Sequence, residues 1–180
     1  MGDHGVIQAL NSTSASSLPL SKLSSISDLC AKLPPQPVAR RLVEIYYSEA
    51  NWYFALLEQH YFDKVYNSWY TFSDHRTNDC LKELPRDLLH FPALLFQVLA
   101  VSLQFAPLDC PFVQTLGVHD FDTRDRLSGE FSARGVEVLN ILGRDDPSIT
   151  TVQSDLMRAL WLKNSSRGRE AWHALGGATR

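Results

Sequence analysis

An all-α, multi-helix fold is what this sequence predicts. Five segments repeat apolar residues at the three- and four-residue spacing of one helix face, and none sustains the apolar/polar alternation of a half-buried strand. The chain is also rich enough in core material to fold: 44% of its 180 residues are hydrophobic, with Trp 4, Tyr 6 and Phe 9. That excludes global disorder and fits one domain of ordinary size.

The elements follow in order. From Asn11 to Ser27 eight of seventeen residues are serine, a composition that buries little and reads as a flexible arm over residues 1–32. Within it, Leu20, Leu23, Ile26 and Leu29 suggest a short helix near Ser21–Lys32. Pro34, Pro35 and Pro37 then preset the φ of a first helical turn and read as the start signal of the helix that follows. Val38, Leu42, Ile45 and Tyr46 form an apolar face opposite Arg40, Arg41 and Glu44. The following stretch is crowded with Trp52, Tyr53, Phe54, Tyr61, Phe62, Tyr66, Trp69 and Tyr70. A base-stacking platform would need a basic groove, whereas Glu49, Glu58 and Asp63 outnumber Lys64, so core packing is the favoured reading.

Ser73–Asp87 is polar and carries Pro85, which reads as a loop. Leu88–Phe105 is apolar nearly all round, the pattern of a helix in the middle of a helical protein, and Pro107 ends it. The apolar stretch Phe91–Pro107 falls short of the roughly 20 residues of a membrane span and is interrupted by Gln97, Ser102 and Gln104. No membrane partner is expected. Asp122, with Asp125 three residues on, reads as an N-cap for a helix whose stripe is Leu127, Phe131, Val138 and Leu142, stopping at Gly143. Thr150-x-x-Gln153 matches a capping box ahead of Val152, Leu156, Ala159 and Leu160, with a helix running to about Lys163. Beyond Gly168, Trp172, Leu175, Gly176 and Thr179 share one face.

Charge and cysteines narrow the chemistry. Lys plus Arg total 17 against 20 Asp plus Glu, a net charge of −3 that argues against autonomous nucleic-acid binding. The stretch Met157–Arg180 is locally basic through Arg158, Lys163, Arg167, Arg169 and Arg180, which reads as a solvated helical surface rather than a nucleic-acid patch. Cys30, Cys80 and Cys110 lie too far apart for a zinc loop and fit free thiols in a reducing compartment. With no export signal visible at Met1–Leu10, the sequons at Asn11 and Asn164 are expected to be idle.

Two constellations could carry chemistry. His119, Asp120 and Asp122 combine imidazole with carboxylates, the groups of a metal or acid–base site, and a small α-helical metal-dependent enzyme built on them is one reading. No second dense cluster supplies further ligands, and a loop leading into a helix cap is favoured. Cys110 with His119 would be a nucleophile and base lacking a third member. A helical protein-interaction scaffold is the remaining alternative.

The segment Val152-Gln153-Ser154-Asp155-Leu156-Met157-Arg158-Ala159-Leu160-Trp161-Leu162-Lys163-Asn164, followed by Arg169-Glu170-Ala171-Trp172-His173-Ala174-Leu175-Gly176-Gly177-Ala178-Thr179-Arg180, resembles the fungal-specific transcription factor domain. This is the middle homology region of fungal binuclear zinc-cluster transcription factors, also called the xylanolytic transcriptional activator regulatory domain. Leu33-Pro34-Pro35, then Leu42-Val43-Glu44-Ile45-Tyr46-Tyr47 and Asn51-Trp52, resemble its opening, and Pro92–Ala100 its central helix. The resemblance covers Leu33 to Arg180 and implies that residues 33–180 are the N-terminal part of such a domain.

What the resemblance implies is a non-enzymatic regulatory domain, acting in the nucleus to modulate transcription through protein partners or a small effector. Trp161, Trp172 and Gly176 would be packing residues of its motif, with no catalytic residue. No cofactor is implied for this chain. The zinc cluster that contacts DNA in such factors has no counterpart among the three cysteines here, so DNA binding would come only through a separate domain. The family motif continues past the position of Arg180 and has a branched apolar residue where Thr179 stands. A fragment is therefore expected, with the face of Trp172 and Leu175 uncovered and prone to self-association.

Overall fold

A computed structural model describes residues 18–73, 81, 84–143 and 147–178. Among them every regular element is helical: α1 (Leu20–Cys30), α2 (Gln36–Ile45), α3 (Gln59–Ser73), α4 (Arg86–Phe105), a single turn α5 (Pro111–Gln114), α6 (Phe121–Leu142), α7 (Ile149–Asn164) and α8 (Gly168–Ala178). The all-α expectation holds. The sequon at Asn11, residues 11–17 of the serine-rich stretch, Cys80 and Thr179 lie outside the described residues.

The central helix α4 organises the rest. Every residue from Leu88 to Leu103 is buried, and α6 and α7 form its largest contacts while α2, the segment Tyr46–Asn51 that continues it, and α3 cover the remainder. At 20 residues α4 is long and apolar enough to cross a membrane. The sequence reading, which took the apolar stretch as too short, is corrected on that point. Its most apolar window is 89% buried inside the fold, and that burial makes it a core helix.

Close packing on α4 depends on small side chains. On α6 the inward face carries Ser128, Ser132 and Gly135 beside Phe131, Val138 and Leu139. A Cβ on Gly135 would lie 2.6 Å from Gln97 Nε2 and 2.9 Å from the Ala93 carbonyl, so the two backbones approach as only glycine permits. Gln97 is held there by two reciprocal bonds, donating to the Ser132 carbonyl at 2.9 Å and accepting from Ser132 Oγ at 3.0 Å. The expected α6 stripe is thus partly right. Phe131 and Val138 are buried, while Leu127 and Leu142 sit at the edge of the core.

The N-terminal boundary differs from expectation. The short helix is present as α1, and Leu23, Ile26 and Cys30 are buried in the same core as α4. Residues 20–30 therefore belong to the folded unit rather than to an arm ending at 32, because three apolar residues on one helical face outweigh the serines around them. Helix α2 starts after Pro35, with Pro37 in its first turn, and buries Ala39, Leu42 and Val43. It runs on into a π-helical segment, Tyr46–Asn51, and a last turn, Trp52–Phe54. Ala55 then adopts left-handed φ of +48°. Asn51 stabilises this break: its amide donates to the Leu57 carbonyl at 3.0 Å, and its Oδ1 accepts from Leu57 N at 3.2 Å and Tyr46 Oη at 2.9 Å.

The aromatic stretch divides by position. Tyr46, Phe62, Tyr66, Trp69 and Tyr70 are buried, with Phe62, Tyr66 and Trp69 gathered around Phe91 of α4. Trp52, Tyr53, Tyr61 and Phe72 are exposed. Of the stretch read as a loop, Arg86 and Asp87 already belong to α4, and Leu81 and Leu84 are buried. Residues 74–80 and 82–83 lie outside the described part.

Two helix starts are corrected. The cap of α6 is Asp120 rather than Asp122: its carboxylate accepts from Thr123 N at 2.7 Å, and the Thr123 hydroxyl returns to the Asp120 N–H. The capping box of α7 is Ser148 with Thr151 rather than Thr150 with Gln153. In both, a short polar residue in extended conformation stands three residues ahead of a threonine whose hydroxyl completes the exchange. The sequence expectation placed the exchange two residues too far along.

Candidate functional site

Where the C-terminal end of α4, the first turns of α6 and the end of α7 converge, the surface opens into a cleft of about 650 Å³. Its geometry starts from Trp161. The α7 ring is 8% exposed, and its Nε1–H donates to Ser128 Oγ at 2.8 Å, which donates in turn to the Ala100 carbonyl at 2.7 Å. This buried chain ties α7 through α6 to α4, satisfying the polar atom that a tryptophan brings into a core. The ring edge also passes Gly129, where a Cβ would be 3.9 Å from it.

Amide side chains close one wall. Gln104 Nε2 donates to the Trp161 carbonyl at 3.2 Å and to Ser165 Oγ at 2.9 Å, while Asn164 Nδ2 donates to Gln104 Oε1 at 3.2 Å. Two guanidinium groups supply the charge. Arg124 of α6 lies 4.9 Å from the Phe121 ring centroid, and its Nε and Nη2 both donate to Asp125 Oδ1, at 3.2 and 3.1 Å. Arg167, in the turn between α7 and α8, stands 5.6 Å from the Trp161 ring centroid and forms a fork with Glu170 through Nε and Nη2. That pair holds the Glu170 carboxyl below its usual range and raises Arg167. Among the described residues the only carboxylate lining the cleft is Asp125, and no histidine or cysteine lines it. Its two arginines are each paired with a carboxylate, Arg124 with Asp125 and Arg167 with Glu170, and the rest of its lining is amide, hydroxyl and aromatic.

A smaller cleft of about 380 Å³ lies between α2 and α3. Arg40 bonds Asp63 across it at 2.6 Å and leans on the Tyr66 ring, so its charge is already matched.

The motif residues fall into different environments. Trp161 is a packing residue in full. Trp172 is 76% exposed and Leu175 is exposed beside it, and nothing stands within 4 Å of where a Gly176 Cβ would be. The ring of Trp172 is thus not buried as a packing residue would be. Helix α8 lies on α7 and buries Ala171, which turns the neighbouring tryptophan outward.

His119, Asp120 and Asp122 are exposed at the start of α6. Asp120 is occupied as a cap, its carboxyl held below the usual range first by the Thr123 N–H and then by the Thr123 hydroxyl. Among the described residues no group of three His, Cys, Asp or Glu side chains could hold a metal ion. Cys110, half-buried before α5, is not brought into a hydrogen bond with His119. The cleft residues Arg124, Gln104 and Ser128 were not read as a site from the sequence, since Gln104 lies on α4 and the other two on α6, and no spacing links the two helices. Compared with family models, curated proteins and solved structures, the chain matches none.

Proposed function

We propose that this chain is a regulatory domain of a fungal transcription factor, modulating transcription in the nucleus through protein partners or a small effector. On this reading it carries no cofactor or catalytic residue, and it reaches DNA only through a zinc-cluster domain outside this chain. The supporting observation is how the motif-bearing segment sits in the fold. Its helix α7 is keyed to the central helix by the Trp161–Ser128–Ala100 chain, while α8 turns Trp172 and Leu175 to solvent. One half of the motif anchors to the core and the other leaves an apolar face for a partner, as regulation by contact requires.

A tethering assay tests the reading. Fused to a heterologous DNA-binding domain in a fungal reporter strain, the chain should change reporter output severalfold relative to that domain alone. The double variant Trp172→Ser/Leu175→Ser should return output towards the baseline. Output indistinguishable from the DNA-binding domain alone, with the fusion present in the nucleus, would overturn it.

A further inference from the structure

We infer that the exposed corner formed by Trp52 and Tyr53, together with the Glu49 carboxylate, is a docking surface for a basic peptide segment of a protein partner, with an arginine of that segment stacked on the indole and paired with Glu49. Both rings are open to solvent, Trp52 at 72% and Tyr53 at 68%. They meet edge to face, with 5.6 Å between centroids and 80° between planes, which makes an open corner rather than a closed stack.

The fold holds this corner in place. Trp52 Nε1 donates to the Glu49 carbonyl at 3.0 Å, so the indole is fixed without being buried, and it rests on the residue from which the carboxylate leaves the chain. Tyr53 meets Phe54 edge to face at 4.7 Å. The chain before the corner is π-helical over Tyr46–Asn51, and Ala55 just after it takes the left-handed φ of +48°, which is disfavoured for a residue with a Cβ. Asn51 bonds both sides of that break. Irregularities of this kind gather where a surface is used, and rings already fixed need little ordering when a partner arrives.

Charge decides the kind of partner. From Leu42 to Asp63 the chain has Glu44, Glu49, Glu58 and Asp63 and no lysine or arginine. Arg40 and Arg41 match Glu44, Arg40 also matches Asp63, and the Glu58 oxygens accept from the His60 and Tyr61 N–H groups. Glu49 is exposed, and among the described residues no cation pairs with it. Lys163 stands 5.1 Å from the centroid of the neighbouring Phe54 ring, so one ring of this cluster already seats a cation, while among the described residues none lies over Trp52 or Tyr53. Glu49 would repel a phosphate backbone, which sets nucleic acid aside as the occupant. An arginine fits best, because the guanidinium plane stacks on an indole while its donors match a carboxylate.

The inference stands apart from the transcriptional reading, and its test does not use a reporter. The probe is a short capped peptide with two arginines between glycines, added to the full chain and followed by proton–nitrogen correlation spectroscopy. The indole N–H signal of Trp52 should shift saturably in the millimolar range, whereas that of Trp172, which is as exposed but has Arg169 three residues before it, should stay in place. The matching citrulline peptide, similar in shape and uncharged, should move neither. Glu49→Gln and Tyr53→Ala should each weaken binding of the arginine peptide by about threefold, the size of one exposed ion pair or cation–π contact. Glu44→Gln, which removes a carboxylate already matched, should bind as the parent does. Unchanged indole dispersion in each variant confirms its fold. No saturable shift at Trp52, an equal shift at Trp172, an equal response to the citrulline peptide, or undiminished binding in both corner variants would overturn the inference and leave the tethering result untouched.

Discussion

His90 of α4 and Thr151 of α7 meet inside the core, with 2.7 Å between imidazole Nδ1 and the threonine hydroxyl and His90 only 3% exposed. Thr151 Oγ1 also accepts from the Ser148 N–H at 3.2 Å, which leaves its proton for a neutral Nδ1. The capping box of α7 and the packing of α4 therefore share one hydroxyl.

A pH dependence follows from that contact. Burial pulls His90 from 6.5 down to about 4, helped by the positive charge of Arg86 and opposed by Asp87. Because the folded value is the lower one, the unfolded chain binds the extra proton between those values. The His90 contribution is thus complete above about pH 6.5 and is lost as pH falls towards 4, by on the order of 3 kcal/mol. Chemical denaturation at pH 7 and pH 4.5 measures the loss, and His90→Gln should flatten the slope. A slope unchanged in that variant would assign the effect to other groups.

Gly135→Ala should destabilise the fold by about 1–3 kcal/mol, because the added methyl meets the Ala93 carbonyl and a bonded Gln97 amide. Gly129→Ala is the control. Its Cβ would stand at ordinary contact distance from Trp161, and the helix-propensity gain of up to about 1 kcal/mol should leave it neutral or stabilised. Equal effects in thermal denaturation would contradict the close approach at Gly135.

The two motif tryptophans should respond oppositely. Trp161→Ala removes a buried ring and breaks the bond to Ser128, with an expected cost of about 3–5 kcal/mol. Trp172→Ala acts on an exposed ring and should stay within about 0.5 kcal/mol. Trp172→Ala should also reduce any concentration-dependent association seen by sedimentation, since the ring belongs to the uncovered face of α8.

Asp120→Ala should lower the melting temperature, whereas Asp120→Asn, which keeps an oxygen for the Thr123 N–H, should retain most of it at neutral pH. The Asp120 carboxyl is held below its usual range, so its contribution is present above the unfolded value and is lost as the solution is acidified through the folded one. Metal content measured alongside should be the same in both variants. A metal ion lost only in the variants would restore His119, Asp120 and Asp122 as a site.

Legibility in the sequence followed locality. Helix periodicity is a property of neighbouring residues, and it located α2, α4, α6 and α7 together with the proline entry to α2. Caps were legible in kind and misplaced by two residues, since several Asp, Ser and Thr near each start can accept an N–H and only backbone conformation selects Asp120 and Ser148. The inclusion of α1 was missed for a related reason. Composition averages serines with leucines, whereas burial depends on which of them share a face, and Leu23, Ile26 and Cys30 do.

The chain order of helices, their apolar faces and the separation of its cysteines are one-dimensional facts, and the linear pattern was enough to state them. Which surfaces meet is not one-dimensional. The Gly135 approach joins α6 to α4, the Trp161–Ser128–Ala100 chain joins three helices, and the cleft gathers Gln104, Arg124 and Arg167 from positions scattered along the chain. Nothing in the spacing of those residues marks them, because their proximity is set by close packing of helices on α4. The same packing gave Trp161 and Trp172, eleven residues apart in one motif, opposite fates: one turns inward on α7, and the other turns to solvent once α8 has buried Ala171.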